Sequence, residues 1–131
     1  GDDGFLLRHG YTYSGHASAC AAALENLDIM QRENLLERAV HIGSRLESAL
    51  GSLAADGLIN HARGRVAVWA AAHNAGVDPM MVRDKMLAAG AITRALNTDT
   101  NSFCPPLVIT DAELDRLIDI FATITTESQP S

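Results

Sequence analysis

Lysine is almost absent from this sequence, and its scarcity limits the chemistry that the chain can carry out. Lys85 is the single lysine among ten lysine and arginine residues. It lies between Asp84 and Met86 on a predicted helix, where a solvated charge is its simplest role. A Schiff-base lysine is usually desolvated or placed beside another cation. We therefore expect no Schiff-base chemistry at Lys85.

Basic clusters and long apolar runs are also missing. The net charge is −6 and the basic residues are scattered singly, which disfavours a nucleic-acid partner. No apolar run approaches the roughly 20 residues of a membrane span, and no signal peptide is visible. We expect a cytoplasmic protein with no membrane or nucleic-acid partner.

Cysteines and aromatic residues are few. Cys20 and Cys104 are best interpreted as small hydrophobic residues in a reducing compartment, with a disulfide less favoured. One tryptophan, two tyrosines and three phenylalanines beside many alanines favour closely packed helices over a bulky β-core. The 131 residues suit one domain.

The periodicity of apolar residues predicts an α+β fold, with helices packed on a small, mainly antiparallel sheet. The predicted order is α-α-β-β-α-β-β-α. The helices are expected at residues 18–30, 34–54, 78–90 and from Thr110 onward, and the strands at 59–62, 66–69, 91–96 and 102–104.

Several details of these elements are specific enough to test. Ser18 is the predicted N-cap of the first helix, and Gly57 is suited to the left-handed position after the second. A turn is expected around Arg63-Gly64-Arg65. Buried stripes are predicted at Cys20, Ala23, Leu24 and Leu27; at Leu35, Ala39, Ile42, Leu46, Leu50 and Leu53; at Val82, Met86 and Leu87; and at Leu114, Leu117, Ile118 and Phe121.

The last helix carries the clearest start signal. Thr110-Asp111-Ala112-Glu113 has the pattern of a capping box, in which the threonine and glutamate side chains each satisfy a backbone N–H. Ile109 and Leu114 stand at the positions of a hydrophobic staple.

The most polar stretch is His9-Gly10-Tyr11-Thr12-Tyr13-Ser14-Gly15-His16, which predicts a loop that presents hydrogen-bonding groups. The chain opens Gly1-Asp2-Asp3-Gly4 without a methionine, directly before this loop. We expect a loop over residues 1–17, a domain over 18–131, and a chain that is the tail of a longer protein.

The residues themselves indicate no catalytic or metal site. His9 and His16 with Asp2 or Asp3 match no zinc spacing. Ser14 lies outside a nucleophile elbow, and the pairing of Cys20 with His16 is disfavoured by the predicted burial of Cys20.

Most of the nine arginines are interpreted as surface or helix-face charges. Arg94 differs from them, because it lies in a short predicted strand. A strand can aim its guanidinium at a cleft, where it would bind a carboxylate in bidentate fashion. A purely structural role is the commoner fate of such an arginine.

Four parts of the sequence resemble, in order, the motifs of class III pyridoxal-phosphate aminotransferases. They are residues 9–16 with 19–24, residues 31–35, Arg63-Gly64, and residues 90–94 followed by 105–110 (Pro-Pro-Leu-Val-Ile-Thr). Two positions depart from the family pattern, since Ala17 stands where proline is usual and Val66 where a second glycine is usual. The resemblance spans almost the whole chain.

The resemblance implies the small, C-terminal domain of a fold-type I enzyme that uses pyridoxal 5′-phosphate (PLP). Thr12 would bind the PLP phosphate of the partner subunit in a homodimer, and Arg94 would bind a substrate carboxylate. The catalytic lysine and the large PLP-binding domain would lie upstream of Gly1, so this chain alone would be inactive.

The implied reaction is amino transfer between an ω-amino acid or amine and an α-keto acid such as pyruvate. Two alternatives stay open at this point. The chain could be a stand-alone, non-catalytic α+β interaction module, or part of a PLP-dependent decarboxylase or aminomutase.

Overall fold

The computed structural model describes residues 10–129, and within them four helices and four strands follow in the predicted order. They are α1 (Ala17–Arg32), α2 (Leu35–Ala55), β1 (His61–Arg65), β2 (Val68–Ala72), α3 (Pro79–Ala88), β3 (Arg94–Leu96), β4 (Thr100–Phe103) and α4 (Asp111–Glu127). The α+β class is confirmed. No helix in this part of the chain is long and apolar enough to cross a membrane.

The chain divides into two compact units between Glu33 and Asn34, where Asn34 adopts a left-handed conformation (φ 57°). The described part of the first unit consists of a turn and α1. His16 is the N-cap of α1, and its Nδ1 accepts a hydrogen bond from the Ala19 N–H at 3.3 Å. The prediction of Ser18 as the cap is therefore wrong, because the helix begins one residue earlier, at Ala17, and Ser18 lies in its first turn.

Helix α1 buries none of its residues, so the predicted burial of its stripe is also wrong. Leu24 is 64% exposed and Leu27 60%, and Cys20 and Ala23 are exposed as well. Periodicity identifies the apolar side of a helix, but it does not show whether anything covers that side.

The second unit is built around α2, whose predicted stripe is confirmed at every position. The six residues are buried: Leu35, Ala39, Ile42, Leu46, Leu50 and Leu53. The helix ends as predicted, with Gly57 at φ 72° and the Leu58 N–H donating back to the Leu53 carbonyl.

The four strands form one antiparallel sheet in the order β1-β2-β4-β3. Arg65 pairs with Val68, so the hairpin between β1 and β2 is a two-residue turn at Val66-Ala67. The predicted turn around Arg63-Gly64-Arg65 is wrong, since these residues belong to β1. Within β1, Gly64 leaves room for the side chain of its cross-strand partner, since a Cβ at this position would lie 2.4 Å from the Trp69 ring.

Val66 occupies a conformation that a β-branched residue rarely adopts, with φ 52°. Two contacts fix it there. Its carbonyl accepts a hydrogen bond from Trp69 Nε1 at 2.9 Å, and it lies against Gly43 of α2, where a Cβ would be 2.0 Å from the same oxygen. The turn thus keeps a glycine-like backbone where the resemblance leads one to expect glycine.

Helix α3 and the two short strands follow with modest differences from prediction. Asp78 caps α3, and Val82 and Met86 are buried as expected, but Leu87 is 58% exposed. The predicted burial of Leu87 is wrong, because this residue follows Met86 directly and so lies off the inward face of the helix. The strands are Arg94–Leu96 and Thr100–Phe103, where residues 91–96 and 102–104 were predicted.

The capping box of α4 is confirmed. Thr110 Oγ1 accepts from the Glu113 N–H at 3.2 Å, and Glu113 Oε2 accepts from the Thr110 N–H at 2.9 Å. The Thr110 N–H, together with the Thr110 hydroxyl that donates to the same Oε2 at 2.7 Å, holds the pKa of Glu113 below its ordinary value of 4.5.

The core of this unit lies between the inner face of the sheet and the helices. Phe103 of β4 packs edge-on against Phe121 of α4, with ring centroids 4.8 Å apart. Leu114 and Phe121 are buried, whereas Leu117 and Ile118 are only partly so. Buried residues of the same cluster include Ile42, Leu46, Trp69, Ala71 and Val82.

The contact between α2 and the hairpin leads to a first prediction. Gly43→Ala should lower the free energy of unfolding by about 2 kcal/mol, because the new Cβ would overlap the Val66 carbonyl and force the backbone apart. Gly51→Ala in the same helix meets no atom within 4 Å and should raise it by about 0.5–1 kcal/mol. Urea unfolding measures both; similar effects of the two substitutions would contradict a tight contact at Gly43.

Candidate functional site

The polar loop of the sequence, described here from Gly10 onward, is a turn set directly before α1. The Ser14 N–H donates to the Tyr11 carbonyl at 2.9 Å, and Gly15 leaves the turn at φ 76°. Thr12 and Tyr13 at its centre are exposed. The turn presents these side chains instead of burying them, as the sequence predicted. His9, Asp2 and Asp3 lie outside the described residues.

The Thr12 hydroxyl is suited to one contact with an anionic oxygen. It makes no hydrogen bond within residues 10–129, and a hydroxyl beside turn N–H groups is a good donor to phosphate. A single hydroxyl satisfies only a small part of a phosphate group. The turn therefore fits a phosphate whose remaining ligands come from elsewhere.

Arg94 lies in the second unit, in β3 at one edge of the sheet. It pairs across the strands with Ser102, whose hydroxyl donates to the Arg94 carbonyl at 3.4 Å. The guanidinium is exposed and has no carboxylate within 4.0 Å among the described residues. It is available for an external carboxylate.

Most of the other arginines in the described chain are neutralised locally. The ion pairs are Arg32–Glu25, Arg38–Asp111, Arg45–Asp115 and Arg83–Asp84. Arg38 Nη1 donates to Asp111 at 2.6 Å, and its Nη2 donates to the Ile109 carbonyl. This hydrogen bond from Arg38 holds the pKa of Asp111 below its ordinary value of 3.8, with His41 adding to the effect.

Two further arginines share a sheet face with Arg94 and were not identified from the sequence. Arg63 and Arg65 alternate along β1, and Arg63 stands in one cross-strand row with Ala70, Ser102 and Arg94. This arrangement could not be recognised as long as Arg63-Gly64-Arg65 was predicted to be a turn. The i, i+2 spacing of the two arginines was the signal that would have placed them on one face of a strand.

Other reactive side chains have ordinary structural roles. His16 Nδ1 is occupied by the helix cap, and Lys85 Nζ donates to Ser128 Oγ at 3.4 Å. Cys20 is exposed, so the burial argument against a Cys20–His16 pair fails, although the capping role of His16 removes its Nδ1 as a base. Residues 10–129 contain no group of three or more histidine, cysteine or acidic side chains placed to hold a metal.

Comparison with known proteins assigns these motifs to one family. The family model described as aminotransferase class-III matches residues 3–125. The diaminobutyrate–2-oxoglutarate transaminase of Halomonas elongata is 37% identical over 127 residues, and the putrescine–pyruvate aminotransferase of Pseudomonas aeruginosa 36% over 124. Each match covers 86% of this chain, and the chain spans only 27% of the length of either relative.

Solved structures agree with the sequence comparison. An amine transaminase from an uncultivated Pseudomonas species, in a PLP-bound form, is similar with a TM-score of 0.82 at 28% identity. It matches 95% of this chain, which corresponds to 30% of that protein. The omega transaminase of Pseudomonas jessenii in complex with PMP gives a TM-score of 0.80 at 30% identity, over 94% of this chain and 29% of that one.

The ion pair at the start of α4 predicts a pH dependence of stability. Because the folded pKa of Asp111 lies below 3.8, its contribution is fully present above the ordinary pKa and is lost as pH falls through the folded pKa. Asp111→Asn should therefore make the acid decline in the free energy of unfolding shallower. Urea titrations at neutral and acid pH test this, with the exposed Asp119→Asn on the same helix as control. An equal change in both profiles would contradict a specific role for Asp111.

Proposed function

Because the chain belongs to the class III aminotransferase family, we propose that it is the C-terminal part of a PLP-dependent enzyme. The enzyme would transfer an amino group between an ω-amino acid or amine and an α-keto acid such as pyruvate. The observation that carries the proposal is the family match over residues 3–125. Relatives named as putrescine–pyruvate and β-alanine–pyruvate aminotransferases support the choice of substrates.

Thr12 is proposed to bind the PLP phosphate of the partner subunit. Its exposed hydroxyl is a free donor in the described chain, and a phosphate needs several such donors from other parts of the protein. PLP, when bound, supplies the electron sink of the reaction. Lys85 is held at Ser128 and is not proposed to form the covalent link to it.

Arg94 is proposed to orient the substrate by its carboxylate. A guanidinium forms two parallel hydrogen bonds to a carboxylate, which fixes orientation as well as position. The absence of a carboxylate within 4.0 Å of the guanidinium among residues 10–129 supports this role. Arg94 thereby discriminates amino acids and keto acids from simple amines.

The proposed partners are a large PLP-binding domain and a second subunit in a homodimer. The apolar side of α1 supports a partner surface there, since its Leu24 and Leu27 side chains are exposed in this chain. We also propose a cytoplasmic location, although several relatives are named as mitochondrial enzymes. The chain alone is proposed to be inactive.

A stand-alone interaction module is the second candidate. The observation in its favour is that residues 34–129 contain their own hydrophobic core, and that helices α3 and α4 in this unit both have a side-chain N-cap. Titration of the full-length protein that carries this chain with PLP separates the two candidates, because only an enzyme that includes the large domain is expected to bind PLP.

The role of Thr12 is tested in an enzyme that carries this chain as its C-terminal part. Thr12→Val should weaken PLP affinity about tenfold, because a hydrogen bond to a charged group is lost, while Thr12→Ser should retain it. Absorbance titration of the apoenzyme measures the affinity. If Thr12→Val binds PLP as tightly as the wild type, the hydroxyl does not contact the phosphate.

The role of Arg94 predicts a split between substrate classes. Arg94→Gln should raise KM at least about tenfold for a donor bearing a carboxylate, such as β-alanine, because a charge-assisted pair is lost. The KM for putrescine, which has no carboxylate, should stay nearly unchanged. Arg83→Gln, remote in sequence and already paired with Asp84, is the matched control. Equal changes for both donors would refute carboxylate recognition.

A further inference from the structure

Thr93 is a buried polar residue that directly precedes Arg94. Its exposed fraction is 7%, whereas Ile92 before it is 82% exposed and Arg94 after it is exposed as well. This alternation is that of a strand, and it places Thr93 on the side of the sheet that faces the core. A buried hydroxyl costs free energy unless it is hydrogen-bonded, and a valine of nearly the same shape would fill the position without that cost.

The Thr93 hydroxyl binds the residue that lies opposite Arg94 in the sheet. Thr93 Oγ1 donates to the Ser102 carbonyl at 2.7 Å, and Ser102 is the cross-strand partner of Arg94. The Ser102 hydroxyl in turn donates to the Arg94 carbonyl at 3.4 Å. The bond from Thr93 is the shorter of the two, and its partial burial shields it from competing water. Both side chains thus strengthen the strand pairing at the point where β3 begins.

The beginning of β3 depends on such an attachment because the strand is short and lies at the edge of the sheet. It has three residues, Arg94–Leu96, and among the described strands it pairs with β4 alone. The end of a short edge strand opens easily, since few hydrogen bonds have to break. Arg94 is the first residue of this strand, so the Thr93 bond opposes opening at the backbone that carries its guanidinium.

The strand that accepts this bond is itself firmly held. Asn101, next to Ser102 in β4, is fully buried. Its Nδ2 donates to the Pro79 carbonyl at 3.2 Å, and its Oδ1 accepts from His73 Nε2 at 2.6 Å. These bonds join β4 to α3 and to the residue that follows β2. The Thr93 hydroxyl therefore fastens a weak strand end to a well-anchored part of the fold.

We propose that Thr93 is a positioning residue for the recognition of a substrate carboxylate by Arg94, an inference that rests on the proposed role of Arg94. Thr93 does not contact the substrate, because its hydroxyl is buried against Ser102. It fixes the Arg94 backbone relative to β4, so only the arginine side chain has to be ordered when a carboxylate binds. A bidentate pair requires both distance and angle to be correct, and it weakens when that backbone is loosened.

The test uses the full-length enzyme that carries this chain, with β-alanine and putrescine as amino donors. Thr93→Val should raise the KM for β-alanine about fivefold, because one buried hydrogen bond is lost, and the KM for putrescine less than about twofold. Thr93→Ser retains the hydroxyl and should stay within about twofold of the wild type for both donors. The matched control is Thr126→Val, which removes a hydroxyl that donates to the Ala122 carbonyl at 2.8 Å in α4 and should change neither KM.

A double-mutant cycle distinguishes positioning from a general loss of stability. If Thr93 acts through Arg94, adding T93V to R94Q should raise the KM for β-alanine no further than R94Q alone does. Thermal unfolding followed by circular dichroism checks that each variant is folded. Should T93V fold poorly, T93A and T93S repeat the comparison, because these two variants differ only by the hydroxyl oxygen.

The outcomes separate this inference from the role of Arg94 on which it rests. Equal changes for the two donors in T93V, or additive effects of T93V and R94Q, would overturn the positioning role and leave carboxylate recognition by Arg94 intact. Equal changes for the two donors in R94Q would refute carboxylate recognition itself, and the positioning role with it. A split in T93V that is absent in T93S and disappears in the R94Q background would support the proposal.

Discussion

The close approach of α2 to the first hairpin is the constraint on which the described sheet depends. Gly43 has no side chain, so the Val66 carbonyl can lie against the helix, and Trp69 holds the same oxygen from the other side. These contacts keep Val66 in a conformation that its own side chain disfavours. The resulting two-residue turn fixes the register of β1 on β2, and every cross-strand row follows from that register.

The outcome of that register is chemical as well as structural. Had the turn occurred at Gly64, two residues earlier, Arg65 would have followed the turn and β1 would have lost its paired arginines. In the observed register Arg63 shares a row with Arg94, and the inner side receives Trp69 and Ala71. One backbone contact therefore decides both which side chains form the core and which cations face outward.

Much of the fold could be predicted from the sequence, because its signals are local. The α2 stripe, the left-handed Gly57 and the Thr110–Glu113 capping box each depend on neighbours within a few residues. The position of the first hairpin turn could not be predicted from the sequence. The contact between Val66 and Gly43, which is distant in sequence, overrides the local preference for a turn at Gly64. The exposure of α1 could not be predicted either, because periodicity does not reveal whether another surface covers the apolar side of a helix. Thr12 and Arg94 were selected through resemblance to a family, and the structure adds that neither side chain has a hydrogen-bond or ion-pair partner among residues 10–129.

The exposure of helix α1 affects the free energy with which the preceding turn could bind a phosphate group. A helix of 16 residues that buries none of its side chains gains little from tertiary packing, and such helices are marginal in water. Any ligand held by the Thr12 turn must therefore repay the conformational entropy of ordering that helix, unless a protein partner has already done so. On the proposed roles of Thr12 and of a partner surface over Leu24 and Leu27, assembly and phosphate affinity would be thermodynamically linked, and the turn would reach its full affinity only in the assembled protein.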